Sequence, residues 1–329
     1  KVWDSATLEL KSEKPNAHNG YVLSVDFDKN GGKIVSGGGD GTLKVWDSGT
    51  LELTATKENA HSNSITSIAF NPMDGKTIVS GSHDRTIKVW DSATLELKTE
   101  KSNAHSDVIR SVGFSPDGKA IVSGGADKTI KVWDAATLSL VASQTDSSAG
   151  DYGIQSVSYS PDGSKIVSRA DSGTIKVWDS ATLELKSEKA SAHDSRINSV
   201  GFSPDGTKIC SASGNFFITG TIKVWDSGSL ELITEKQNAH TIGIDGSISS
   251  VQFSPDGTKI VSGGIKDITI KVWDSATLEL KTEKANAHSN RITSVDFSPD
   301  GKTIVSGSYD KTLAPMTKRS KSGMRQHWR

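Results

Sequence analysis

Apolar and polar positions alternate in short stretches along this chain, and turn residues interrupt them at regular intervals. Residues 61–98 serve as a model unit. The stretch 65–70 reads ITSIAF, apolar at alternate positions, which predicts a half-buried strand. NPMDG at 71–75 supplies a Pro that presets the first turn position and a Gly that accepts the left-handed one, so a hairpin turn is expected. KTIVSGS at 76–82 is the second strand, HDRT at 83–86 a second turn, and IKVW at 87–90 the third strand. Residues 91–94 turn again into a fourth strand, 95–100. There Leu95 and Leu97 are expected to point one way and Glu96, Lys98 and Glu100 the other. That pattern suits an outer strand whose charges discourage pairing with another molecule. No segment shows sustained helical periodicity.

The unit recurs. TIKVWDSATLELK stands letter for letter at 86–98, 174–186 and 269–281, and its last eleven letters open the chain. Looser copies lie at 42–54, 129–141 and 221–233. Trp3, Trp46, Trp90, Trp133, Trp178, Trp225 and Trp273 are each followed by Asp, at gaps of 43, 44, 43, 45, 47 and 48 residues. Such a period makes each copy one structural unit. The NPMDG turn has SPDG counterparts at 115–118, 160–163, 203–206, 254–257 and 298–301. Four short antiparallel strands per repeat, with a Trp-Asp signature, predict a propeller blade.

On these motifs the chain resembles the WD-repeat β-propellers over residues 1–313. The resemblance implies an all-β, seven-bladed propeller of four-stranded antiparallel blades. It also implies a structural tetrad in each blade. The family's His, Ser, Asp and Trp fall on His18, Ser36, Asp40 and Trp46; on His61, Ser80, Asp84 and Trp90; and on His105, Ser123, Asp127 and Trp133. They fall again on His240, Ser262, Asp267 and Trp273. An indole N–H, an imidazole and a hydroxyl are costly to bury unpaired, and together they satisfy one another. His288, Ser306 and Asp310 have no Trp after them, because the chain reads Ala314-Pro315-Met316 where KVWD should follow. Residues 1–4 and 8–13 are therefore expected to complete the blade begun by 292–306, with Trp3 as its Trp, closing the ring without open edges.

Two blades depart from the pattern. Residues 144–153 lack the His, and the reset turn at 169–173 leaves Asp171 doubtful as a tetrad partner. GNFFITG at 214–220 replaces an Asp turn, leaving His193, Ser211 and Trp225 incomplete. Phe216 and Phe217 are read first as a loop folded on its own blade and second as an apolar anchor for a partner. A smaller insertion at 241–246 lengthens the next connection.

Composition narrows the function. Net charge is −1, with no global signal for nucleic acid or membrane. The charge is uneven: Lys318, Arg319, Lys321, Arg325 and Arg329 make residues 314–329 basic, leaving 1–313 at −6. This tail reads as a disordered end, as a nuclear-localisation or nucleic-acid patch, or as a stretch foreign to the repeat gene's normal product. The one cysteine, Cys210, excludes an internal disulfide and a cysteine-rich zinc site, and reads as a small buried residue. No apolar run approaches a bilayer span. The chain opens Lys-Val-Trp without a signal-like stretch, so it is read as a piece of a larger soluble protein. Its expected place is intracellular, in the cytoplasm with the nucleus as second choice.

Nothing in the motifs carries catalysis. The six recurring His residues fall one per blade and cannot converge on a metal. No Ser lies in a nucleophile elbow. GGKIVSGGGDG at 31–41 sits between strands and lacks a Gly-Lys-Ser/Thr ending, so it is no phosphate loop. Asp-Gly pairs such as Asp117-Gly118 are hairpin turns rather than calcium loops. No enzyme activity, cofactor or metal is expected.

The resemblance instead implies partner docking on the top face, where the loops before the first strand and after the second emerge. Carried over, the positions that line it are Tyr21 and Leu23, Thr66 and His83, Val108 and Arg110, Gln155, Arg196 and Asn198, Lys266, and Arg291, Thr293 and Tyr309. The blades are near copies elsewhere and differ here. Three arginines with Lys266 and His83 would bias the ring basic. Tyr and Arg anchor interfaces, and Arg pairs carboxylate or phosphate in bidentate fashion. The expected function is a noncatalytic, monomeric scaffold that binds a protein or peptide, acidic or phosphorylated, without membrane or nucleic acid. The competing reading is a purely architectural propeller, recently amplified or designed, without a specific ligand.

Overall fold

The computed structural model describes residues 1–170, 172–215, 218–240 and 247–311. Asp171, Phe216, Phe217, the insertion at 241–246 and the basic tail lie outside the described residues. Seven four-stranded antiparallel sheets stand in a ring, each innermost strand packed on those of its two neighbours. From the inside outward, the first blade is Val22–Phe27, Lys33–Gly38, Leu43–Asp47 and Leu53–Lys57. The second is Ile65–Phe70, Thr77–Ser82, Ile87–Asp91 and Leu97–Lys101. The third to sixth blades begin with Ile109–Phe114, Ile154–Tyr159, Ile197–Phe202 and Ile248–Phe253.

The seventh blade comes from both ends of the chain. Ile292–Phe297 and Thr303–Ser308 form its inner half, and Val2–Asp4 and Leu10–Ser12 its outer half. Trp3 lies opposite Ile304, and Trp3 Nε1 donates to Ser306 Oγ at 2.8 Å.

The core lies between blades. Each Trp is buried with the aliphatic residues of its own second strand and those of the preceding blade, as where Trp90, Ile65, Ile68 and Ile78 pack on Val35 and Val45. Small second-strand residues permit that closeness: a Cβ on Gly81 would come within 2.8 Å of Val112 and Ile109 in the next blade. The innermost strands have no ladder partner toward the channel, so serines bridge them. Ser67 Oγ accepts from Val112 N–H at 3.1 Å and donates to Val112 O at 3.2 Å. Ser111 does the same to Val157, and Ser199 to Val251.

The fourth strand corrects one expectation. Leu95 and Leu97 do not share a face: Leu95 is 1% exposed and Leu97 44%. The cause is the turn before them. Asp91 Oδ1 accepts the N–H groups of Ala93 and Thr94, and the backbone reverses through Leu95 at φ 56°. That left-handed residue drops its side chain into the core, and the strand begins only at Leu97. Leu8, Leu51, Leu138, Leu183, Leu230 and Leu278 repeat the geometry.

Candidate functional site

In five blades a complete tetrad connects the top loops to the core. Ser80 Oγ accepts from Trp90 Nε1 at 2.8 Å and lies 2.7 Å from His61 Nε2, while His61 Nδ1 lies 2.9 Å from Asp84. Proton order follows from the donors. The carboxylate can only accept, so His61 Nδ1–H donates to it; the indole can only donate, so the serine oxygen accepts from it; and with the ring proton on Nδ1 the serine hydroxyl donates to Nε2. His18, Ser36, Asp40 and Trp46 make the same chain, as do His105, Ser123, Asp127 and Trp133. So do His240, Ser262, Asp267 and Trp273, and His288, Ser306, Asp310 and Trp3. Burial holds the His288 imidazole down to about 4, so it is neutral at physiological pH. The Asp84 carboxyl also accepts the backbone N–H of Ser62 and Thr86, which fixes both top loops.

In the fifth blade His193 Nε2 and Trp225 Nε1 both reach Ser211, but His193 Nδ1 has no hydrogen-bond partner among the described residues, and burial pushes the ring down to about 3. The Asp turn is replaced by a longer hairpin, Lys208–Asn215 with Ile218–Asp226. The fourth blade keeps the Trp178–Ser168 bond at 2.8 Å and carries an ion pair unseen in the sequence. In the first three blades and in the fifth and sixth the lysine of the KVW motif spans the indole face and donates to the carbonyl before the His, as Lys88 does to Ala60 O. Here Asp146 takes that alanine's place, and Lys176 Nζ binds its carboxylate at 2.7 Å with both side chains buried.

A central channel of about 520 Å³ runs through the ring. Leu23, Thr66, Arg110, Gln155, Asn198 and Thr293 line it, together with serines of every blade from Ser24 to Ser294. The top-face residues singled out from sequence separate into groups. Arg110, Gln155 and Arg196 come together on the third to fifth blades. Arg196 Nη2 donates to Gln155 Oε1 at 2.7 Å and its guanidinium lies 5.9 Å from the Tyr152 ring centre. Arg110 feels the Arg196 charge, which adds to burial in lowering its pKa. Arg169, in the second strand of the fourth blade, joins this wall; it is 7% exposed and donates to Ile197 O at 2.6 Å.

Arg291 does not join that group. It lies 5.1 Å from the Tyr309 ring centre, and Tyr309 stacks on Tyr21 at 4.1 Å, between the last blade and the first. The side chains expected to bias the ring basic are thus unevenly placed, with a guanidinium group on one side and an aromatic stack with one arginine on the other. His83 does not add to the basic bias either. Burial and Arg110 lower its pKa, and Arg110 Nη1 donates to its Nε2 at 3.3 Å. Thr66 and Thr293 spend their hydroxyls on the next blade, at Ile109 O and Val22 O, both 2.7 Å away. Asn198 donates to Gly214 O at 3.2 Å. Leu23 and Val108 are half-buried and Lys266 is exposed.

Sequence reasoning missed four residues: Arg169, Tyr152, Asp26 and Asp296. Arg169 was detectable as the one large side chain at a position that is otherwise Gly or Ala. Asp26 and Asp296 stand where the other blades carry Ala69, Gly113, Ser158, Gly201 and Gln252. Cys210 is fully buried and its thiol is pushed up to about 12. Among the described residues no group of three or more His, Cys, Asp or Glu is arranged to hold a metal.

No curated protein matches the chain as a relative. The family model for the WD domain, G-beta repeat, matches seven stretches, at 11–47, 52–91, 97–134, 142–179, 186–226, 234–274 and 280–314. With seven matched repeats, seven blades and the Trp–Ser bond in each, the chain belongs to the WD40 family.

Proposed function

We propose that this propeller is a noncatalytic scaffold that holds an acidic segment of a partner protein at the mouth of its channel. Its family commonly serves in protein–protein interaction. The observation that carries the reading is the closeness of Arg110 and Arg196, the latter bonded to Gln155, with Arg169 in the same channel wall. Like charges crowded at a concave, partly dry rim attract an anion more strongly than scattered surface charges do. Guanidinium groups there pair a carboxylate or phosphate in bidentate fashion. Tyr21 and Tyr309 offer an aromatic platform across the mouth for the same segment.

A panel of acidic and phosphorylated peptides, each with its charge-neutral counterpart, tests the reading. Wild type is compared with Arg110→Glu/Arg196→Glu and with Arg291→Glu, all at matched melting temperature. The expected result is selective binding of charged peptides, lost in the double variant and weakened in the single one. Equal retention by the double variant, or no peptide bound by wild type, would count against it. An empty panel would favour the architectural reading.

A further inference from the structure

The channel wall carries a second titratable group that the mouth does not use. Asp26 lies on Val22–Phe27 and Asp296 on Ile292–Phe297, the innermost strands of the first and last blades. They hold the same register position, opposite Val35 and Val305 of their second strands. Both line the channel, and their carboxyl groups hydrogen-bond one another. Two carboxyl groups can share such a bond only while at least one is protonated.

The surroundings favour keeping that proton. Burial and neighbouring negative charge push both groups above the ordinary carboxylate range, Asp26 to about 6 and Asp296 well above its usual value. Asp28 adds a further negative charge, whereas Phe70 N–H, which donates to Asp26 Oδ2 at 2.7 Å, favours the carboxylate on Asp26 and leaves the shared proton on Asp296. Flanking residues at this level are Ala69 and Gln252, neither of them charged. No basic side chain acts on either carboxyl among the described residues.

Location gives the pair its consequence. The hairpin of Ile292–Phe297 and Thr303–Ser308 is held in the ring by Val2–Asp4 on its outer side and by the first blade on its flank. Thr293 on Val22 O and Tyr309 on Tyr21 tie the top of that flank. Asp296 on Asp26 ties it at channel depth.

We propose that the Asp26–Asp296 pair is a proton-operated latch on ring closure: its shared proton holds the last blade to the first, and loss of that proton sets two carboxylates against each other across the junction. The folded state binds this proton more tightly than the unfolded chain. The latch therefore works fully below the ordinary carboxylate range and weakens as pH rises through 6 and beyond.

Carboxyl 13C NMR of the whole wild-type chain reads the proton directly. One of the two carboxyls should remain protonated above pH 6, and ordinary titration of both near 4 would overturn the proposal. Melting temperatures of wild type and Asp296→Asn, from pH 5 to 8, read the latch. The variant should gain on wild type as pH rises, by about 3–5 °C at pH 8, and parallel curves would overturn it. Hydrogen exchange in wild type localises the effect. Protection should fall with pH in Ile292–Phe297 relative to Ile109–Phe114, whereas equal loss in both strands would overturn a latch at that junction. Asp26→Asn provides a second variant with the same expected direction.

Discussion

Single residues here are constrained by proton order as much as by shape. Ser80 both accepts from an indole and donates to an imidazole. Ser80→Ala strands two buried polar groups at once and should cost about 2–3 kcal/mol in urea unfolding. A cost below the scatter of surface mutants would show that the tetrad is decorative. His193 and His288 are neutral in the folded state and ordinary in the unfolded one. Their contribution is complete above pH 6.5 and is lost as pH falls toward 4, because the unfolded chain takes up the protons first. Depressed carboxyls such as Asp84 add their loss at lower pH still. His193→Gln should therefore flatten part of the decline in stability between pH 6.5 and 4, and an unchanged slope would mean that His193 is charged when folded. Lys176 is a sharper case. Lys176→Met leaves Asp146 as a buried, unpaired carboxylate and should cost about 3–5 kcal/mol, whereas Lys176→Met combined with Asp146→Ala should recover most of it. Additive losses would contradict the pairing.

Elements were legible from the sequence wherever one residue type has one use. Alternating apolar positions gave the inner strands, and Pro-Asp-Gly gave their hairpins. The outer strand was misread because Leu95 adopts a left-handed conformation usually reserved for Gly or Asn, and alternation cannot reveal such a residue. The Asp91 turn that forces it is local chemistry, visible only once the carboxylate is seen capping two N–H groups. Closure was legible because the missing KVWD of the last repeat stands at the head of the chain. Removing residues 1–13 exposes the outer edge of Thr303–Ser308 and takes Trp3 and Leu8 from the core. Burial of those side chains is worth several kcal/mol, so the melting temperature should fall by more than about 10 °C. An unchanged melting temperature would mean that the ring does not depend on those strands.

At the scale of the whole molecule, near-identical blades make a nearly symmetric ring, and function must reside where the symmetry breaks. Sequence pattern located most of those positions but not their grouping. Arg110 and Arg196 lie 86 residues apart, and only the ring's curvature brings them to one side, with Arg291 on the other. Arg169 went unnoticed because its repeat position is a packing site rather than a loop. The result is a channel with guanidinium groups on its third to fifth blades and a carboxyl pair on the opposite side. The most direct test of peptide capture at that mouth is a charge swap. The tightest acidic peptide is titrated against wild type and against Arg110→Glu/Arg196→Glu, and its Lys-substituted counterpart is titrated against both. The account predicts that the reversed protein loses the acidic peptide and gains the basic one, with affinity falling as salt rises. Unchanged preference in the reversed protein would contradict it and move the contact to another face of the propeller.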